Sequence, residues 1–320
     1  MGLKNLLCLV LLPVVSLLHG QDAVMHKDTI PYKTTFPDKI TFRTAVVNAA
    51  NRFVLRGDDG TSARYRPVNK YILKLSVQFR GLDIGFGLTP AFINPERDQE
   101  NARLQNMNFR LFLGRWMQTF DYYDQRGHFG ELEGFEVYLP GLETRKIGGT
   151  TAYVFNPNFS FRALVSQNEW QRRSAGSFVP RFVAYYTRYK LDFDDNVSRS
   201  HSWDFGMGPG YHYNWVLGEN WMFSAGNTTG IGFNFLKDDG QNTTSLMWET
   251  IFRGGVSYNS DRFFGGVDAS YAFLEHGRVR EVRVDDRIYS IQAYIGYRIK
   301  APKKWVAAAE KVNRKFGWDQ

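Results

Sequence analysis

Between residues 71 and 80 the chain alternates with period two. Tyr71, Leu73, Leu75, Val77 and Phe79 form one set of positions, while Lys74, Ser76, Gln78 and Arg80 form most of the other. Successive side chains of a strand point to opposite faces, so this spacing predicts a strand with one apolar face. Gly81 then turns the chain, and Leu82, Ile84, Phe86 and Leu88 alternate with Asp83, Gly85, Gly87 and Thr89. Comparable segments follow near 107–119, 147–156, 159–170, 178–193, 201–217, 221–236, 245–258, 263–275 and 286–300, and one near 40–56 precedes them. The pattern predicts about twelve antiparallel strands, each close to the length of a tilted bilayer crossing.

A soluble β-sandwich alternates too, but its apolar face is packed inward and needs no aromatic girdle. Aromatics make up 16% of this chain, and no run after residue 20 is long and apolar enough for a membrane helix. The fold class expected is therefore all-β: a transmembrane antiparallel β-barrel, porin-like, in the outer membrane of a Gram-negative cell. Tight turns at Gly81, Gly218 to Asn220 and Asn259 to Asp261 belong on the periplasmic side. Longer polar links near 57–64, 92–106, 194–201, 237–244 and 276–286 belong outside. Segment 120–146 breaks this scheme: strand parity puts it on the periplasmic side although it is long, and puts the short Asn156-Pro157-Asn158 outside. Either one strand is miscounted there, or 120–146 folds into the lumen as a plug.

The ends of the chain read differently. Lys4 followed by LLCLVLLPVVSLL and a small Gly20 reads as a cleaved signal peptide over 1–20. Residues 21–300 are then the barrel, and 301–320 a periplasmic tail in which APKKWVAAAEKVNRKF suggests a short amphipathic helix. Cys8, the sole cysteine, lies in the leader, so disulfides, zinc–thiolate sites and cysteine nucleophiles are not expected in the mature chain. The formal charge is +8. For an exported chain that points to anionic headgroups and acidic solutes rather than to nucleic acid. The expected partners are the lipid bilayer and lipopolysaccharide, a small anionic or lipidic solute, and a periplasmic protein.

Candidate chemistry is sparse, and no cofactor is expected. Asp58-Asp59, Asp194-Asp195, Asp238-Asp239 and Asp285-Asp286 supply hard oxygen ligands on outer links, but none has calcium-loop spacing and Asp beside Gly or Asn is ordinary turn chemistry. No metal site is therefore assigned. Strand phase places Lys74, Gln78, Arg80, Arg110, Arg162, Arg253 and Arg298 in the lumen, with Asp83, Asp204, Glu249 and Asp268 as partners. Such an interior suits either a narrow anion-favouring pathway or a salt-bridged plug. Catalysis ranks third: His212 lies within a strand beside Asn214, with Ser224 on the next strand, and no local motif joins them. In the stretch Trp203 to Trp215 the glycines read as the inward face of a wall, Trp203 and Trp215 as girdle residues, and Pro209 as a bulge or kink.

The most distinctive segment is Gln167 to Phe178, QNEWQRRSAGSF. Together with NFSFRALVS before it, FDYYDQRGHFGE upstream and RYRPVNKYILKLSVQFRGLDIGFG earlier still, it resembles the Bacteroidota outer-membrane family catalogued as domain-of-unknown-function 4421. The counterparts of that family's segments are Tyr122 to Gly127, Phe159 to Ala163, and Gln171 with Ser174, Ala175, Gly176 and Ser177. The resemblance spans about residues 35–300 and implies a signal-bearing barrel; it carries no catalytic residues with it. The leading expectation is passage or binding of a small or lipidic solute. The rival is a structural or assembly barrel that docks envelope partners through 120–146, 167–178 and the tail.

Overall fold

The computed structural model describes residues 30–57, 62–68, 71–94, 102–132, 135–165, 169–193, 196–238, 241–276 and 282–316. Its strands are β1 (Lys33–Thr35), β2 (Lys39–Gly57), β3 (Ser62–Pro67), β4 (Tyr71–Phe79), β5 (Leu82–Leu88), β6 (Arg103–Leu113), β7 (Trp116–Leu132) and β8 (Phe135–Tyr153). After helix α1 (Phe161–Val165) come β9 (Glu169–Gln171), β10 (Ala175–Phe178), β11 (Arg181–Phe193), β12 (Asn196–Gly208) and β13 (Gly210–Leu217). The chain continues through β14 (Trp221–Asp238), β15 (Gln241–Asn259), β16 (Phe263–His276) and β17 (Val282–Lys300) to helix α2 (Lys303–Phe316).

Twelve strands close a ring in the order β2-β4-β5-β6-β7-β8-β11-β12-β14-β15-β16-β17, every pairing antiparallel, with β17 returning to β2. Strand β13 prolongs β12 along β14, and β10 prolongs β11 along β13. Closure pairs each ring strand on both sides, so its backbone is hydrogen-bonded within the wall, as a bilayer requires. Along β5, Leu82, Ile84, Phe86 and Leu88 are exposed while Asp83, Gly85 and Gly87 are buried. Along β14, Phe223, Ile231, Phe233 and Phe235 are exposed while Ser224, Thr228 and Asn234 are buried. Apolar outside and polar inside is the reverse of a water-soluble protein, and it defines a transmembrane barrel. Trp116 and Trp221 stand exposed at the rim carrying the short turns, and Trp203 and Trp248 stand exposed farther along their strands.

The predicted strand count holds, though two segments are exchanged within it. Segment 107–119 straddles a turn at Gly114 and Arg115, where Gly114 has φ +57°. Segment 120–146 belongs to β7 and β8, a hairpin of 17 and 19 residues reaching out at the long-loop end. Segment 159–170 is no strand of the ring: it holds α1 and runs into β9, which pairs with β1. The parity conflict thus ends with Asn156 at the short-turn end and the 120–146 hairpin at the long-loop end. Pro209 removes a ladder bond without a bulge, since Met207 faces Ile231 and Gly210 faces Thr228 in unbroken register.

A strand of 19 residues at about 3.3 Å per residue, tilted about 40°, rises roughly 45 Å, well beyond an apolar band of about 25 Å. The ring therefore projects past the membrane at the long-loop end. There β3 pairs with both β2 and β7, bypassing the shorter β4, β5 and β6. The outer part of the wall is thus bridged by one short strand where three line the membrane.

Candidate functional site

Two arrangements lie inside the barrel and a third on its projecting wall. The first is a plug at the short-turn end, made by residues 154–165 and 169–178. Phe159, Phe161 and Leu164 pack with Phe112, Met117, Ala152, Val154, Ala175 and Val179 in one buried cluster. This explains why 159–170 reads as a strand: buried among wall residues on several sides, the segment carries apolar residues at alternate positions without facing lipid.

Gln171 organises the polar half of the plug. Its Oε1 accepts from the Ser160 N–H at 2.7 Å and from Asn214 Nδ2 at 3.3 Å. Its Nε2 donates to the carbonyls of Tyr32, Asn158 and Arg173 at 3.0, 2.8 and 2.8 Å. The remaining motif residues are equally occupied. Ser174 Oγ accepts from the Val216 N–H, Ala175 fills the cluster, and Ser177 Oγ accepts from the Asn156 N–H. A side chain on Gly176 would lie 2.4 Å from the Tyr213 ring, so only glycine lets β10 approach β13 there. The segment singled out by resemblance is therefore the plug's fastening to the wall.

Arg162 is expected in the lumen on a strand; it sits instead on α1, with Nη1 at 3.5 Å from Glu169 and Nη2 donating to the Phe112 carbonyl at 3.4 Å. Burial pushes its guanidinium below the ordinary range, opposed by the Glu169 carboxylate. Glu169 also accepts from Ser160 Oγ at 2.6 Å and lies 3.9 Å from Lys33. His212 meets the Phe161 ring edge-on at 5.2 Å and lies over Gly226. Asn214 donates to the Ser160 carbonyl, and Ser224 Oγ donates to the Gly255 carbonyl. All three contact the plug or the wall, and among the described residues no hydrogen bond joins His212 to Asn214 or Ser224.

The second arrangement crosses the interior. Lys74 of β4 donates to Asn108 of β6, Asn108 donates to Asp121 of β7, and Tyr185 of β11 donates to Asp121 at 2.8 Å. Each long reach passes over a glycine on the strand between, Gly85 or Gly148. Arg110 donates to Asp83 at 2.9 Å, and Arg181 to Glu249. Gln292 donates to both oxygens of Asp268 at 2.8 Å, with Arg43 at 3.9 Å. Asp204 accepts from Asn234 at 2.5 Å, and Arg253 lies within electrostatic reach of Asp268 and Arg110. Arg298 is closed in between the Phe36 and Phe264 rings, at 4.0 and 4.6 Å, and donates to the Ser260 carbonyl at 2.6 Å. Arg80 is not among these interior residues: it occupies the β4–β5 turn at φ +52°, donating to the Pro37 carbonyl and to Glu310.

The third arrangement is an open cavity of about 490 Å³ in the projecting part at the long-loop end. Arg64 and Arg66 of β3, Phe129 and Glu131 of β7, Glu136 of β8 and Arg287 of β17 line it. Arg66 lies 4.2 Å over the Phe129 ring and donates to Glu136 at 2.6 Å, and Arg64 donates to Glu131 at 3.4 Å. Among the described lining residues, three guanidiniums face two carboxylates, a surplus of positive charge. None of these residues emerges from the sequence, because above the membrane both faces of β7 and β8 are wet or covered and alternation fades. Of the aspartate pairs, Asp58, Asp59, Asp194, Asp195 and Asp239 lie outside the described residues, as do the side chains of Asp285 and Asp286; Asp238 accepts from Ser200 Oγ at 2.6 Å.

A closed ring with a lipid-facing exterior, a charged interior and an inward-folded segment at one end defines a plugged transmembrane β-barrel. The chain belongs to the family described as Domain of unknown function (DUF4421), whose model matches residues 26–299. No curated protein matches it. Among solved structures it is similar to the outer membrane protease OmpT from Escherichia coli, at 8% identity and a TM-score of 0.39, covering 83% of this chain and 98% of that one. It is also similar to an outer membrane channel from Pseudomonas putida F1, at 12% identity and a TM-score of 0.40, covering 87% and 100%. An anion-selective porin from Comamonas acidovorans gives 10% identity and a TM-score of 0.29, covering 83% and 100%. The roles in those names are theirs; the barrel assignment here rests on strand pairing and the inverted polarity of the wall.

Proposed function

We propose that this protein is an outer-membrane barrel that binds a small anionic solute on the outward face of its projecting wall while its interior stays closed to free ion flow. The observation that carries this reading is the cavity at the long-loop end, with Arg64, Arg66 and Arg287 around it and the Phe129 ring beneath Arg66. Guanidinium forks bind carboxylate and phosphate through paired charge-assisted hydrogen bonds, and an aromatic floor suits an apolar portion of the solute. Inside the barrel, the cross-barrel pairs and the plug favour binding over open passage. Short turns mark the periplasmic side by the usual rule, which puts the cavity outside and the plug inside.

The test is titration of the refolded mature protein with inorganic phosphate, succinate and octyl sulfate, which separate a free anion from a lipidic one. Saturable binding of at least one is expected. Arg66→Ala should weaken it about 10- to 100-fold, the loss of one charge-assisted pair. Glu136→Gln should act in the opposite direction, tightening anion binding because it removes the carboxylate that competes for Arg66. Binding by none of the three, or affinities unchanged in both variants, would reject the site.

A further inference from the structure

Strand β17 ends at Lys300 opposite Lys39 of β2, and Ile40 of β2 faces Phe79 of β4. Helix α2 starts just beyond and follows this rim. The Ala301 N–H donates to the Asp38 carbonyl at 2.7 Å, Trp305 meets Phe79 edge-on at 6.3 Å, and Arg80 reaches Glu310 at 3.4 Å. Successive parts of the helix thus pass from β17 beneath β2 to β4, so its axis runs along the ring and in the membrane plane, for about 21 Å. Phe79 belongs to the row of β4 that includes the exposed Tyr71, Leu75 and Val77, so Trp305 continues the lipid-facing surface of the wall.

Around the helix, Val306, Ala309 and Asn313 are half-buried, while Trp305, Ala308 and Val312 recur at the same spacing and are exposed, Trp305 at 55% and Val312 at 45%. The remaining positions are strongly basic: Lys303, Lys304, Lys311, Arg314 and Lys315, against Glu310 as the one acid between 303 and 316. An exposed tryptophan level with a lipid-facing wall, on a helix lying in the interface and carrying surplus positive charge, has the makeup of an interfacial anchor. A periplasmic protein groove would offer no reason for the apolar stripe to be continuous with the barrel's lipid face.

We propose that α2 binds the anionic phospholipid headgroups of the leaflet at the short-turn end, with Trp305 and Val312 entering the acyl boundary and the basic side chains meeting the phosphates. The inference is independent of the solute cavity. Each basic side chain near an anionic surface strengthens attachment about five-fold.

The mature chain lacks cysteine if the leader carrying Cys8 is removed, so Ala308→Cys gives a single attachment point for an environment-sensitive dye. The full barrel is placed in nanodiscs of phosphatidylcholine alone or with about a third phosphatidylglycerol. The expected result is a blue shift and quenching by brominated lipid only with phosphatidylglycerol, reversed by salt near 0.5 M, where screening is short-ranged. Replacing Lys303, Lys304 and Lys311 by Gln should lower the apparent lipid affinity about 100-fold, and Trp305→Ser should weaken it at unchanged salt dependence. Heat-modifiable migration shows that each variant still folds. Equal solvent exposure in both discs, or equal shielding in both, overturns the proposal. So does a dye shielded in native outer-membrane preparations yet wet in phosphatidylglycerol discs, which gives the face to a protein partner.

Discussion

Gln171→Leu is expected to destabilise the folded barrel by about 4 kcal/mol, because leucine keeps the volume and abolishes every hydrogen bond of the amide. The side chain is 1% exposed, so water cannot replace what is lost. The carbonyls of Asn158 and Arg173 lose this donor and the Ser160 N–H loses its acceptor, while the Tyr32 carbonyl keeps the Arg172 N–H and Asn214 keeps the Ser160 carbonyl. A buried polar group left without a partner costs about 1–3 kcal/mol, and three such groups set the figure. The measurement is urea unfolding of the refolded protein, followed by heat-modifiable migration on a gel. Gln171→Glu keeps the acceptor but sets a buried carboxylate oxygen against three carbonyls, so it should destabilise at least as much. An unfolding midpoint equal to that of the unsubstituted protein would show that the plug is not fastened through this residue.

Gly148→Val is expected to prevent assembly of the barrel. A Cβ at Gly148 would lie 2.3 Å from the Ala184 carbonyl oxygen and 2.5 Å from Cδ1 of Tyr185. The first contact is with backbone held in the β8–β11 ladder, where Ala184 faces Gly149 and Tyr185 faces Gly148. Relief therefore requires two paired strands to separate. The second contact displaces the ring that carries the Tyr185 hydroxyl to Asp121, cutting the chain of bonds from Lys74 across the lumen. Overpacking of this kind usually costs about 1–3 kcal/mol in a core that can shift; here the obstacle is backbone, and the cost is larger. Gly254→Ala is the control, because its nearest neighbour is the Ser224 carbonyl oxygen at 3.5 Å, ordinary contact. The control should fold and migrate normally, and Gly148→Val should remain in the heat-denatured position at every refolding condition.

Where a strand had lipid on one side and the polar lumen on the other, its sequence declared it. Leu82 to Leu88 and Trp221 to Phe235 alternate because their two faces meet two different solvents. Where that contrast fails, so does legibility. The outer halves of β7 and β8 stand clear of the apolar band, and β3 pairs with β7 there, so residues such as Phe129, Glu131 and Glu136 show no clean period. Residues 159–165 misled for the opposite reason, being enclosed by the wall with no outward face at all. Tight turns were readable from Gly81 and Gly218, yet the turn at Gly114 was hidden because Phe112, Leu113, Trp116 and Met117 are apolar on both sides of it. Of the charged residues, Lys74, Asp83, Arg110 and Asp268 are found where strand phase puts them. Arg80 and Arg162 are not, since one lies past the end of its strand and the other on a helix. Gln171 and its neighbours stood out as a motif long before their role was visible, because bonds to Tyr32, Asn158 and Asn214 join segments far apart in sequence.

The proposed function requires a barrel that is closed to ions within the membrane. Ion current through the purified protein in a planar bilayer tests this most directly. Insertion without a steady conductance is the predicted result, because the plug fills the short-turn end and the cross-barrel pairs occupy the interior above it. A long-lived ohmic conductance of porin type from the unsubstituted protein would contradict it.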